Sequence, residues 1–113
     1  MKVPGAESAT VPEKKIVSYL LNPAHPAGGS KASFFIRFGF SAAHWRQLAE
    51  ALLRHVRENE VVQTEPTRHG TRYAVDGPLD ASDGTVLNVR TLWYIDTDGR
   101  GLRFVTAHPM PKL

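Results

Sequence analysis

The stretch "NPAHPAGGSK" (22–31) carries residue types that can move protons and hold an anion. His25 stands between two prolines, and Lys31 follows a Gly-Gly-Ser run. Histidine exchanges protons near neutral pH, and flanking prolines restrict the backbone that points it. Glycines ahead of a helix let backbone N–H groups approach an anion beside a lysine. The stretch therefore suits proton transfer next to a phosphate.

The same stretch also has a plainer interpretation. A lone histidine is more often a surface-loop residue, here held in a turn by Pro23 and Pro26. Gly28, Gly29 and Ser30 equally describe the entry to a helix with Ser30 as its N-cap. The spacing GxxxxGK[ST] of a phosphate-binding loop is absent, which argues against a nucleoside triphosphatase.

A second set of candidates lies near the C-terminus. Arg90 and Thr91 fall in the middle of a predicted strand, where a charge needs solvent, a partner or a ligand. Thr106 and His108 are two positions apart on the last predicted strand, so their side chains share a face. An arginine, a threonine and a histidine on one open sheet face can bind phosphate. A solvated sheet face explains these residues equally well.

Other chemistries find less support. His44 and His55 lie on the predicted amphipathic helix, where they are expected to face solvent or to flank the hydrophobic core. His69 lies in the turn "TRHG". No HExxH or paired-carboxylate pattern occurs, so we expect no metal site and no cofactor. Asp96 and Asp98 are interpreted as turn residues. The absence of cysteine excludes disulfides, thiol catalysis and cysteine-ligated zinc.

Helical periodicity dominates the first half of the chain. "EKKIVSYLLN" predicts a short helix that stops at Asn22, because a residue before proline avoids helical backbone angles. "KASFFIRFGF" is ambiguous but favours a short helix ending at Gly39. Ser41 is the predicted N-cap of a longer helix that runs to Asn59. Its apolar stripe consists of Trp45, Leu48, Ala49, Leu52 and Val56.

The second half changes to a period of two, which is typical of strands. Strands are predicted in "EVVQTEP", "GTRYAVDGPL", "TVLNVRTLWYID" and "GLRFVTAHPM", separated by turns at Gly70, Asp83-Gly84 and Asp98-Gly99. Helices must cover one sheet face to bury the stripe of the long helix. We therefore predict an α+β fold: two or three N-terminal helices packed on one face of a three- or four-stranded antiparallel sheet.

Length and composition indicate one domain. We predict a flexible N-terminal tail over residues 1–12 and a single α+β domain over 13–113. No apolar run is long enough for a transmembrane helix, and the first residues lack the apolar centre of a signal peptide, so we expect a cytoplasmic protein without a membrane partner. The net charge of +3 permits binding to a phosphate backbone without requiring it.

The order of these segments resembles a bacterial domain family found as small standalone proteins and as C-terminal domains of larger ones. The resemblance covers about residues 14–110 and is carried by "NPxHPxGxxKAxFF", "VRTxWxID" and "VTAxP". That family is itself similar, in layout and residue types, to the barnase–EndoU–colicin–RelE group of metal-independent ribonucleases, which occur as toxins. Many members end with a "TAYP"-like strand, where this chain has His108.

The resemblance implies a reaction in which the 2′-hydroxyl of RNA attacks the adjacent phosphorus and leaves a 2′,3′-cyclic phosphate. His25 would be the base or the acid, and His108 a second proton-transfer group or a platform for base stacking. Lys31 and Arg90 would stabilise the phosphate, with a hydrogen bond from Thr106. Secondary contacts are expected from Ser30, Arg72 and Thr91.

The expected function is that of a toxin-like endoribonuclease acting on RNA, such as tRNA or mRNA, within a toxin–antitoxin or polymorphic toxin system with a cognate antitoxin or immunity protein. The alternative is a non-catalytic partner-binding module of the same fold, such as the antitoxin or immunity half of a pair. A third alternative is a structural domain in which the loop 22–31 only closes the fold. Converging basic groups and a histidine would favour the first, and a flat or apolar patch the second.

Overall fold

The computed structural model of the chain describes residues 1–26, 29–98 and 101–110; the side chain of Ser30 is also outside the description. Helix α1 begins as an α-helical turn over Glu13–Lys15 and continues as a π-helical segment over Ile16–Leu20. Helix α2 spans Gly29–Arg37. A 3₁₀ turn over Ala42–His44 leads into helix α3, Trp45–Glu58.

Four strands follow the helices and form one antiparallel sheet. They are β1 (Val61–Pro66), β2 (Gly70–Asp80), β3 (Val86–Asp96) and β4 (Leu102–Pro109), and their order in the sheet is β1-β2-β3-β4. Each strand pairs with the next in sequence, so β1 and β4 are the edges. The predicted α+β architecture of helices followed by an antiparallel meander is confirmed.

Helix α3 supplies the largest apolar stripe of the helical layer. Leu48, Leu52 and Val56 are fully buried, at helix-face spacing, while Arg46, Glu50 and other charged residues stay in solvent. The predicted end at Asn59 is also observed, since Asn59 Nδ2 donates to the carbonyl oxygen of His55 at 2.9 Å. Burial of this stripe fixes which face of the sheet the helices cover.

Alternation along β2 and β3 separates a buried face from an open face. On β3, Val89, Thr91 and Trp93 are inaccessible to solvent, while the residues between them are only half-buried. The turn predicted at Asp83-Gly84 is also confirmed, because Gly84 has a φ of 89°, in the left-handed region that glycine adopts without strain. The open face of β3 therefore carries the partly exposed side chains of Asn88, Arg90, Leu92 and Tyr94.

A β-bulge in β4 changes which of its residues face the ligand side. Trp93 pairs with Phe104, but Leu92 pairs with Thr106, so Val105 is an extra residue in the ladder. Strict alternation from the buried Phe104 would point Thr106 into the core. The bulge instead puts Thr106 on the open face and Ala107 in the core, where it is fully buried.

The N-terminal segment differs from the flexible tail expected for residues 1–12. Val3, Ala6 and Ala9 are buried in the core, and Val61 donates its N–H to the carbonyl oxygen of Met1. Thr10 forms a parallel bridge with Arg103 of β4. The segment is held by two kinds of contact: three apolar side chains spaced by three residues are buried together in the core, and Thr10 exchanges backbone hydrogen bonds with Leu102 and Phe104 of β4.

Candidate active site

Three side chains meet at the β4 edge of the sheet. Lys31 Nζ, near the start of α2, donates to Tyr19 Oη at 2.9 Å and to Thr106 Oγ1 at 3.2 Å. Tyr19 Oη and Thr106 Oγ1 are themselves 2.8 Å apart. An ammonium group and two hydroxyl groups on one spot form a set of donors suited to phosphate oxygens.

Local distortions of two elements bring these groups together. Tyr19 lies in the π-helical part of α1, a rare helix form that occurs often at functional sites. Thr106 follows the bulge in β4, and the carbonyl oxygen of the bulged Val105 accepts a hydrogen bond from Lys15 Nζ at 3.2 Å. Lys15 thereby ties α1 to the bulge and places a second ammonium group 5.3 Å from the centre of the Tyr19 ring.

His25 lies beside this cluster. Its ring meets that of Tyr19 edge to face, with the centroids 5.0 Å apart. Its backbone is held on both sides, because His25 N donates to the Asn22 carbonyl at 3.1 Å and the His25 carbonyl accepts from Gly29 at 2.9 Å. The loop between α1 and α2 thus fixes the imidazole next to Tyr19. Ala27 and Gly28, the first residue of the "GGSK" run, lie outside the described residues.

On the open sheet face, Arg90 and His108 are direct cross-strand partners, so their side chains are neighbours. Arg90 forms a two-pronged ion pair with Asp76 of β2, with its Nε 2.7 Å and its Nη2 2.9 Å from the carboxylate oxygens. A groove of about 150 Å³ extends from His108 and Arg90 across the sheet. It is lined also by Gln63, Glu65, Arg72, Ala74 and Leu92.

The electrostatic environment shifts the proton affinities of two of these residues. Burial lowers the pKa of His108 from its usual 6.5, and the positive charges of Lys31 and Arg90 lower it further, against an opposing effect of Asp76. Burial raises the pKa of Tyr19, but hydrogen bonds from Lys31 and with Thr106, and the charges of Lys31 and Lys15, outweigh it and lower the pKa overall. The lowered pKa of His108 favours the neutral form of its ring at neutral pH.

The structure thus brings together His25, Lys31 and Thr106, with Arg90 and His108 on the adjoining open face. Arg72 lines the far part of the same groove. Ser30 belongs to the first turn of α2, and its side chain lies outside the description.

Thr91 is placed elsewhere, in the core, where it is fully buried and faces the helices. Its Oγ1 lies 3.0 Å from His55 Nδ1 and accepts a hydrogen bond from Trp93 Nε1 at 2.7 Å. Because no substrate reaches it there, we leave Thr91 out of the candidate site.

Sequence reasoning missed Tyr19 and Asp76 as members of the site. Asp76 alternates with the buried Tyr73 and Val75 on β2, which put it on the same face as Arg90, but its pairing with Arg90 depends on the register of two strands. For Tyr19 the sequence held a single indication, a hydroxyl-bearing aromatic residue in the helix segment "IVSYLL", whose other residues apart from Ser18 are apolar.

Among the described residues, no group of three or more histidine, aspartate or glutamate side chains is placed to hold a metal ion. Within the same part of the chain, no helix is both long and apolar enough to cross a membrane.

Comparison with known proteins places the chain in a fold and a family. One chain of a contact-dependent growth inhibition toxin–immunity protein complex from Klebsiella pneumoniae 342 has a similar structure, with a TM-score of 0.70 over 89% of this chain and 99% of that chain. At 17% sequence identity, this similarity is one of fold. No curated protein matches the chain. A family model described as a domain of unknown function (DUF6883) matches residues 2–111, nearly the whole chain, and the chain therefore belongs to this family.

Proposed function

We propose that this protein is a metal-independent endoribonuclease that cleaves RNA through its own 2′-hydroxyl group. The observation that carries the proposal is the position of Lys31, whose ammonium group donates to both Tyr19 and Thr106 beside the open face that holds His108 and Arg90. Such a set of donors matches the extra negative charge that a phosphorane transition state develops. The reaction needs only cations, hydrogen-bond donors and two proton-transfer groups, all of which the chain supplies.

Phosphate binding is assigned to Lys31 and Thr106. The ammonium group and the hydroxyl group are 3.2 Å apart, so one non-bridging phosphate oxygen can accept from both. Tyr19 keeps both groups in place through its hydrogen bonds. Arg90 adds a positive charge from the neighbouring strand, with its guanidinium oriented by Asp76.

Proton transfer is assigned to the two histidines on either side of the phosphate site. His25 touches Tyr19 on the helical side, and His108 follows Thr106 by two residues on the sheet side. A displacement at phosphorus places the attacking and leaving oxygens in line, so the base and the acid must stand on opposite sides. His108, kept neutral by its environment, accepts the 2′-hydroxyl proton as the 2′-oxygen bonds to phosphorus. The bond to the 5′-oxygen breaks, and His25 in its charged form supplies the proton to that oxygen.

The fold similarity supports a place for the protein in a toxin–immunity system. The Klebsiella complex contains both a toxin and its immunity protein. We infer that this chain acts on RNA in the cytoplasm of a target or host cell and that a cognate protein inhibits it. An inhibitor of this kind would cover Lys31 and the groove next to it.

The test is cleavage of a mixed tRNA and mRNA pool in EDTA. Wild type is expected to leave 2′,3′-cyclic phosphate and 5′-hydroxyl ends, identified by mass spectrometry. His25→Ala, Lys31→Ala and His108→Ala should each lose most of this activity. His69→Ala is the matched control, because this exposed histidine lies in the turn between β1 and β2. Equal activity in all four variants, or cleavage only with added metal, would refute the proposal.

A second candidate is a partner-binding module without catalysis. The observation in its favour is that two open-face cations, Arg90 and Arg103, are already ion-paired, with Asp76 and Asp96. Paired charges suit a protein interface better than a phosphate chain. A folded wild type that cleaves no RNA but forms a stable complex with the product of a neighbouring gene would establish this alternative.

A further inference from the structure

A recess of about 430 Å³ opens beside the phosphate site, on the helical side of Tyr19. We call it the basic recess. It is lined by Pro12, Lys14, Lys15, Ser18, Tyr19 and His25. No sequence pattern pointed to it, and the reaction described above uses only its Tyr19 and His25 wall.

The charge of the basic recess distinguishes it from the open-face groove. All of its lining residues are described, and none is acidic. The groove across the sheet contains Glu65, and its Arg90 is ion-paired with Asp76. Lys14 is exposed and forms no ion pair with any carboxylate in the described part of the chain. A polyanion leaving the phosphate site therefore meets lower electrostatic cost in the basic recess than over the groove.

The basic recess is also continuous with the phosphate site. Tyr19 belongs to both, since its hydroxyl group contacts Lys31 and Thr106 while its ring forms a wall of the recess. Lys15 is fixed at the boundary by its hydrogen bond to Val105, the residue before Thr106. Lys15 and Lys31 both lie beside the Tyr19 ring, with their Nζ atoms 5.3 Å and 5.4 Å from its centroid, and Lys14 lines the same recess as Lys15.

We propose that the basic recess binds the nucleotide next to the scissile phosphate of a single-stranded RNA. Lys14 and Lys15 contact the phosphate of that nucleotide, and its base lies against Pro12 and the His25 ring. The inference rests on the proposed ribonuclease function and names its substrate class. The base must be unstacked to enter the recess, which an A-form duplex does not permit.

Binding of uncleavable RNA tests this proposal separately from catalysis. Fluorescently labelled 2′-O-methyl oligonucleotides, single-stranded and duplex, are titrated with protein at several salt concentrations and followed by anisotropy. Lys14→Ala removes a recess charge that forms no ion pair in the described part of the chain, and Ser18→Phe fills the recess with a ring. Lys2→Ala is the matched control, because this exposed lysine lies near β1, at the opposite edge of the sheet. Circular dichroism confirms that each variant is folded.

Single strands should bind wild type more tightly than duplexes. Lys14→Ala should weaken single-strand binding roughly threefold to tenfold and reduce the slope of log K against log salt by about 0.7, as expected for one lost phosphate contact. Lengthening the single strand by one nucleotide should increase its affinity for wild type, and Ser18→Phe should abolish this increase. Lys2→Ala should bind like wild type. Equal binding by Lys14→Ala and Lys2→Ala, or a preference for duplex, would overturn the proposal.

Cleavage of ordinary RNA in EDTA separates failure of this inference from failure of the proposed function. A wild type that cleaves RNA while Lys14→Ala binds normally leaves the ribonuclease standing and removes the recess from the RNA path. A wild type that does not cleave, but whose RNA binding depends on Lys14 and on an open recess, supports the subsite and refutes catalysis. A wild type that binds no RNA at all overturns both.

Discussion

Lys31 Nζ lies 3.2 Å from Thr106 Oγ1, although 75 positions of sequence separate the two residues. The contact joins the start of α2 to the edge strand β4, and it depends on the bulge that turns Thr106 out of the core. The hydroxyl group is therefore in a position to bind an anion only because the strand departs from regular alternation at Val105.

Thr106→Val should reduce RNA cleavage by about 10²-fold to 10³-fold, the usual effect of removing one donor to a developing oxyanion. The side chain keeps its shape but no longer accepts from Lys31 or bonds to Tyr19. Because the site is only half-buried, the free energy of unfolding should fall by less than about 1 kcal/mol. Single-turnover kinetics and urea denaturation measure the two effects.

Thr106→Ser provides the control, because it restores the hydroxyl group without the methyl group. It should recover most of the activity lost in Thr106→Val. If both substitutions reduce cleavage equally, the methyl group matters and the assigned hydrogen-bonding role of Thr106 is incorrect.

Substituting the two partners of the Arg90–Asp76 ion pair should shift the pKa of His108 in opposite directions. Arg90→Gln removes a positive charge and should raise the pKa of His108, whereas Asp76→Asn removes a negative charge and should lower it. The imidazole C–H signals in an NMR titration report both shifts, with the remote Arg46→Gln as control. Shifts of the same sign in both variants would show that His108 does not sense this pair.

Activity should follow the protonation of His108 on the acid side. As general base, His108 must be neutral, and burial together with Lys31 and Arg90 lowers its pKa below 6.5. With falling pH, log(kcat/KM) should therefore begin to decrease only below pH 6.5. In Arg90→Gln this decrease should begin at a higher pH than in wild type. An acid limb above pH 6.5 in wild type would assign the base to another group.

The fold could be predicted from the sequence because the apolar residues of each half of the chain follow a single period, helical in the first half and strand-like in the second. The stripe of α3 defines a helix that must cover a sheet, and the alternation of Val89, Thr91 and Trp93 defines the buried face of that sheet. Local turn signals such as Asp83-Gly84 then order the strands as a meander. These features are local, and local patterns carry most of this architecture.

Much of the site could not be predicted, because it depends on contacts between distant segments. The partners of Tyr19 come from α2 and β4, and nothing near Tyr19 in sequence specifies them. The bulge at Val105 leaves no residue-type signal, since neither glycine nor proline occurs there. His55 is different: it follows Leu48 by seven positions and Leu52 by three, so its burial could have been read from the same stripe that defined α3.

The buried His55 should make the protein less stable as pH falls below about 6.5. Its Nε2–H lies within hydrogen-bonding distance of the carbonyl oxygens of Gly77 and Val89, and its Nδ1 accepts from the Thr91 hydroxyl group, so the neutral ring satisfies the site. Burial lowers the pKa of His55, against the opposing effects of the two carbonyls and Asp76. Above the unfolded pKa both states hold a neutral ring. Below it the unfolded chain binds the proton first, and stability is lost until the folded pKa is reached.

Urea denaturation between about pH 5 and pH 8 measures this effect, in the range where histidine titrates. His55 should account for a slope of at most about 1.4 kcal/mol per pH unit, the value for one proton. His55→Gln should lower stability at pH 8 by about 1–3 kcal/mol, because Thr91 and the carbonyls lose well-placed partners. His55→Gln should also make the free energy of unfolding depend less on pH than in wild type, whereas His69→Ala should leave this dependence unchanged. If the free energy of unfolding of His55→Gln decreases toward acid pH with the same slope as that of wild type, other groups, with His108 first among them, cause the loss of stability.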